Sequence, residues 1–94
     1  MKEVIENGVY TCLNEKGETI CIIESLGDNI YKAKNKSLQI ISEIKFLDNG
    51  NKFMKCIENK NADKNGRFRK SNKLMVHNMQ WLAYMLEEKG IIRN

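Results

Sequence analysis

The chain has 94 residues, 16 Lys plus Arg against 12 Asp plus Glu, one His, three Cys and no Pro. A chain this short suits one domain with a compact core, since it buries only about 60–65% of the surface it exposes when unfolded. No apolar run approaches the roughly 20 residues of a membrane span, and the opening Met-Lys-Glu-Val-Ile-Glu lacks the layout of a signal peptide, so a cytoplasmic location without membrane attachment is expected. Abundant Lys, Asn and Ile with little Arg match the codon bias of a low-GC bacterium or one of its phages.

Residues 2–7 read either as an extra edge strand or as a short helix stopped by Gly8, with the strand favoured. From Gly8 to Glu58 short β-rich runs alternate with turn signals, which predicts a five-stranded antiparallel meander over about 8–58. The first hairpin joins 9–13 to 18–23 through Asn14-Glu15-Lys16-Gly17, a type I turn closed by a glycine bulge. That loop sets Cys12 opposite Ile20, whereas a two-residue Lys16-Gly17 loop would set Cys12 opposite Cys21. The bulged loop is favoured, with free thiols.

Next come a turn at Leu26-Gly27-Asp28-Asn29, a strand over 30–34, a turn at Asn35-Lys36 and a strand over 38–47. In this pairing Tyr31 and Ala33 face Ile40 and Leu38 on one apolar face. Asp48-Asn49-Gly50-Asn51 suits a type I′ turn and sets Phe46 across from Phe53. The fifth strand continues through Met54, Cys56 and Ile57.

Residues 59–66 hold almost nothing that could be buried and belong to an exposed basic loop over about 59–70. A helix follows over about 71–89, capped by Ser71 and ended at Lys89-Gly90-Ile91 in the manner of a Schellman stop. Leu74, Met75, Met79, Leu82, Met85 and Leu86 share its broad apolar face, which must pack on the sheet. The expected fold is α+β: a five-stranded antiparallel meander, or a small SH3-like barrel, with one C-terminal helix packed against it.

For chemistry the chain offers little. Its odd set of cysteines includes no CxxC pair and has one histidine to help it, so neither a disulfide framework nor a metal site is indicated, and no cofactor motif is present. The cysteines read as small buried apolar residues. Acidic side chains are scattered, and no Walker loop, HExxH or GxSxG occurs, so an enzyme is not expected.

Charge is the first positive signal. Residues 1–58 hold 8 basic and 9 acidic side chains, and residues 59–94 hold 8 and 3, so the two parts carry −1 and +5. The excess concentrates in Lys60, Lys64, Arg67, Arg69, Lys70 and Lys73, a cluster able to neutralise phosphates or an acidic partner. Phe68, inside it, either stacks on a base or anchors the loop to the core, the second reading being the stronger.

The other signal is a stripe beside the apolar helix face: His77, Trp81 and Tyr84, with Glu88 at its end. Trp and Tyr dominate binding hot spots, although Trp81 could equally seal the core edge. Together the cluster and the stripe predict a non-enzymatic binding module that docks on a protein or nucleoprotein partner, in the manner of a small regulator or inhibitor. Direct nucleic-acid binding through segment 60–73 is the alternative. Homo-oligomerisation through an uncovered edge strand or the aromatic stripe is open.

Overall fold

A computed structural model of the chain describes residues 1–60 and 69–93, with helix side chains from Val76 onward. It shows a small α+β fold: six antiparallel strands, β1 (Lys2–Glu6), β2 (Val9–Leu13), β3 (Thr19–Gly27), β4 (Ile30–Asn35), β5 (Ile40–Phe46) and β6 (Lys52–Asn59), followed by one helix, α1 (Arg69–Glu87). The strands pair in chain order, β1-β2-β3-β4-β5-β6, as one open sheet with two free edges, so the expected five strands become six and no barrel closes.

The sixth strand exists because Asn7-Gly8 turns tightly. Asn7 and Gly8 have φ of 52° and 75° between the paired Glu6 and Val9, the left-handed pair that a type I′ loop needs. Asp28 and Asn29, at 53° and 61° between Gly27 and Ile30, repeat the device.

Two of the other three hairpins use bulged loops. In the first, the Gly17 N–H reaches the Asn14 carbonyl at 3.0 Å, and the Asn14 side chain accepts from the N–H groups of Lys16 and Glu18, so the expected turn forms. Leu13 accordingly pairs with Thr19. A second irregularity then leaves Ile20 unpaired, and Cys12 stands opposite Cys21, contrary to the expected Cys12–Ile20 register. All three cysteines are nevertheless free thiols.

At the last hairpin the Gly50 N–H reaches Leu47 and the Leu47 N–H reaches Asn51, with positive φ at Gly50 alone, so the loop is a type I turn with a glycine bulge instead of type I′. The extra residue pairs Phe46 with Lys52 and Lys45 with Phe53, correcting the Phe46–Phe53 pairing. Side chains alternate along a strand, so this one-residue shift turns Phe53 to the open face, where it is exposed. Between β4 and β5 the chain takes a longer turn in which the Asn35 side chain accepts the Leu38 N–H. Tyr31 and Ala33 therefore meet Ile44 and Ser42, not Ile40 and Leu38, while keeping the same buried face.

The two faces differ in chemistry. Toward the helix, Tyr10, Cys12, Cys21, Ile23, Tyr31, Ala33 and Ile44 are buried together with Leu82, Ala83, Met85 and Leu86 of α1. On the other face the register lines up Glu24, Lys32, Glu43 and Lys55 across β3–β6, alternating in sign, with Lys55 3.8 Å from Glu43. Opposite charges on neighbouring strands suit a solvated surface.

Helix α1 starts at Arg69, two residues before the expected cap, so Ser71 lies inside it. It meets the sheet through a buried polar contact. Asn78, on the otherwise apolar face, donates to the Ser42 hydroxyl at 2.7 Å and accepts from the Asn35 side chain at 3.2 Å, with Asn78 and Ser42 fully buried. At the far end Lys52 pairs with Glu87 at 2.7 Å. Gly90 then adopts φ 65° and the Ile91 N–H turns back to the Met85 carbonyl, a glycine stop one residue wider than a Schellman ring. The tail continues to Arg93, whose guanidinium lies 3.8 Å from the centre of the Phe46 ring.

Removing Asn78 should expose the cost of this polar lock. Asn78→Ala leaves the Ser42 hydroxyl buried without its donor and is expected to lose about 1–3 kcal/mol in urea unfolding. Ser42→Ala should cost less in the Asn78→Ala background than in the wild type, because the two groups lose the same bond.

Candidate functional site

The helix backbone runs closest to β5 and β6. It therefore covers only part of the apolar sheet face, and the β1–β3 side of that face is left as an open cleft of about 440 Å³. Tyr10, Cys12 and Cys21 floor it; Trp81, Tyr84 and Met85 wall it from the helix. Trp81 is half-buried against the core and Tyr84 is 53% exposed, which makes them the parts of the stripe that border the cleft. His77 is exposed one turn earlier and is not among the cleft's lining residues.

At the rim Glu3 ties strand to helix. It accepts a 2.8 Å hydrogen bond from the Tyr10 hydroxyl and lies 3.9 Å from the Lys89 ammonium. Cys12 points its thiol at the Met1 sulfur, 4.0 Å away. The cleft floor is thus sulfur-rich and apolar, with polar groups confined to its edge.

Two groups of the floor hold their protons tightly. Burial, with smaller contributions from Cys12, pushes the Cys21 thiol up to about 12 from its ordinary 9.0, and burial with the Glu3 hydrogen bond pushes the Tyr10 phenol well above its usual range. A thiol held protonated is a poor nucleophile. Cys56 is raised too, chiefly by burial and against a hydrogen bond from its thiol to the Glu58 carbonyl. Among the described residues no group of three His, Cys, Asp or Glu side chains could hold a metal ion, and no helix is long and apolar enough to cross a membrane.

A second feature adjoins the cleft. Asn35 lines both the cleft and a smaller pocket of about 210 Å³ rimmed by Lys34, Lys36 and Lys60. None of these three lysines has an ion-pair partner among the described residues. The Lys60 N–H bonds the Gln39 carbonyl, which sets that lysine at the end of the sheet from which the chain leaves for the helix.

Of the expected site, Lys60, His77, Trp81 and Tyr84 are exposed or half-exposed. Arg69, Lys70 and Lys73 fall in the first turns of α1, with their side chains outside the described set; Lys64, Arg67 and Phe68 lie wholly outside the described residues. Sequence reading missed Lys34 and Lys36, which the meander brings to Lys60 from 24 to 26 positions away. It missed the cleft floor as well. The signal for the floor was the alternative first-hairpin register that puts Cys12 against Cys21; the lysines had none, because only tertiary pairing makes them neighbours.

The raised Cys21 and Tyr10 groups make stability sensitive to alkali. The fold holds the Cys21 proton more tightly than the unfolded chain does, so this stabilisation is intact below pH 9 and drains as pH climbs from 9 toward about 12. The thermal midpoint should fall between pH 8 and pH 11, and Cys21→Ala should reduce that fall when the two proteins are melted side by side.

No protein-family model matches the chain, and no curated protein or solved structure matches it.

Proposed function

We propose that the chain is a non-enzymatic binding module that docks on a protein or nucleoprotein partner, gripping it at the cleft beside Trp81 and Tyr84. One observation carries the reading: beside the helix lies a cleft with a buried apolar floor, Tyr10, Cys12 and Cys21, walled by the partly buried Trp81 and the half-exposed Tyr84. An apolar floor bordered by Trp and Tyr is the composition of an interface hot spot, where two or three rings supply most of the affinity.

Charge supports attraction at the neighbouring pole. Lys34, Lys36 and Lys60 gather where the chain leaves the sheet, and Arg69, Lys70 and Lys73 occupy the first turns of α1, which carry no acidic residue. Cations at the positive end of a helix dipole repel it, so this pole is relieved when an acidic surface approaches. Asn35 lines both the cleft and the lysine pocket, so those two features adjoin. A regulator or inhibitor that covers a partner's working surface needs no more than this.

The unpaired lysines also favour a second reading, direct binding of nucleic acid. The two readings separate by residue and by salt. Trp81→Ala should lower recovery of a partner from nuclease-treated bacterial lysate by at least about tenfold, consistent with a hot-spot loss of 2 kcal/mol or more. For nucleic acid, duplex DNA titrated at several salt concentrations should give log K falling by about 0.9 per phosphate contact, with the slope reduced in a Lys34→Gln/Lys36→Gln/Lys60→Gln variant. Steep, salt-dependent DNA binding that Trp81→Ala leaves unchanged, with nothing recovered after nuclease, would replace the first reading by the second.

A further inference from the structure

Strand β1 forms a free edge of the sheet, and its residues are those of a strand made to meet its own copy. The backbone parity comes first. The Ser25 N–H bonds the Gly8 carbonyl at 3.2 Å, so Gly8 faces β3, and alternate residues Val9, Thr11 and Leu13 turn their backbone groups toward β1. Their partners Glu6, Val4 and Lys2 are therefore committed to β2. Glu3 and Ile5 point their N–H and C=O groups outward, away from the sheet.

Two copies related by a two-fold axis pair antiparallel, and the outward residues admit few registers. Centring the pair on Glu3 sets two carboxylates face to face. Centring it on Ile5 sets Val4 against Glu6 and leaves Lys2 beyond the strand pairing. Centring it on Val4 pairs Glu3 with the partner's Ile5 and Ile5 with the partner's Glu3, giving four backbone hydrogen bonds. It also places Lys2 opposite the partner's Glu6 and Glu6 opposite the partner's Lys2, two cross-strand pairs of opposite charge, with Val4 against Val4 between them.

We propose that β1 is a self-association surface, pairing with a second copy in the Val4-centred register to make one twelve-stranded sheet. The side chains agree with the occupant. Ile5 pairs with Tyr10 and so lies on the helix-side face, yet it is 57% exposed, and in this register it packs diagonally on the partner's Ile5. Charged edge strands ordinarily repel visitors. Here the signs exclude the Glu3-centred register and favour the matching one, so they select the partner. The contact is self-complementary and closes at two copies, unlike a β1-to-β6 contact, which would propagate.

The interface spans five residues a side, so the dimer is concentration-dependent. Sedimentation velocity of the full chain from about 10 µM to 1 mM should show the mass rising from 10.9 kDa toward twice that value. Ile5→Pro removes an outward N–H without touching the β1–β2 bonds and should leave a folded monomer throughout. Lys2→Glu sets like charges opposite each other twice and should weaken association by about tenfold, and adding Glu6→Lys should restore it. If Ile5→Pro disturbs the circular dichroism of the fold, the charge reversal and its rescue carry the test alone. A chain that stays monomeric at 1 mM, that forms open polymers, or whose dimer survives Lys2→Glu undiminished overturns the proposal.

Discussion

The position of the helix is the constraint from which the surface follows, and one buried polar bond helps to set it. Leu82, Met85 and Leu86 would bury comparable area at several placements along the apolar sheet face, because hydrophobic contact is non-directional. The Asn78–Ser42 hydrogen bond is directional. It holds the helix over the β5 side, and Lys52 with Glu87 holds its other end to β6. Displaced toward β2, the same helix would close the cleft and bury Trp81; where it sits, the cleft stays open beside it.

That placement also explains how one short chain presents two unlike surfaces side by side. Asn78, nine residues after the start of α1, is the first buried residue among the helix side chains described. Along the helix Arg69, Lys70 and Lys73 come before it, and Trp81 and Tyr84 come after it. Asn35, which donates to Asn78, lines both the cleft and the lysine pocket. A single polar cluster thus divides the charged pole from the apolar cleft.

Much of this was legible in the residues. The order of the hairpins, the apolar helix face, the glycine stop and the ring stripe follow from alternation, turn chemistry and the 3.6-residue period. Register was harder. The Ile20 bulge has no local signature, since Thr19-Ile20-Cys21-Ile22 reads as uninterrupted strand, and pairing beyond it moves Cys21 against Cys12. At Asn49-Gly50 two loops compete with almost the same residues, and the sequence preference for the tighter one lost to a type I turn with Gly50 as its left-handed residue. Asn7-Gly8, the same dipeptide as Asn49-Gly50, does form the tight left-handed turn and makes a strand of a segment that read as ambiguous. Asn78 had no mark in the sequence, and only its partner on β5, 36 positions earlier, shows why a polar residue belongs on the apolar face.

The bulge at Gly50 reaches beyond its own hairpin. By adding one residue to the loop it assigns Lys52, Met54 and Cys56 to the helix side of β6 and turns Phe53, Lys55 and Ile57 outward. A loop one residue shorter would invert that assignment: an aromatic ring would press against α1, and Lys52 would leave the carboxylate of Glu87. The outer decoration of a whole edge strand, and one of the two anchors of the helix, hang on the left-handed geometry of a single glycine.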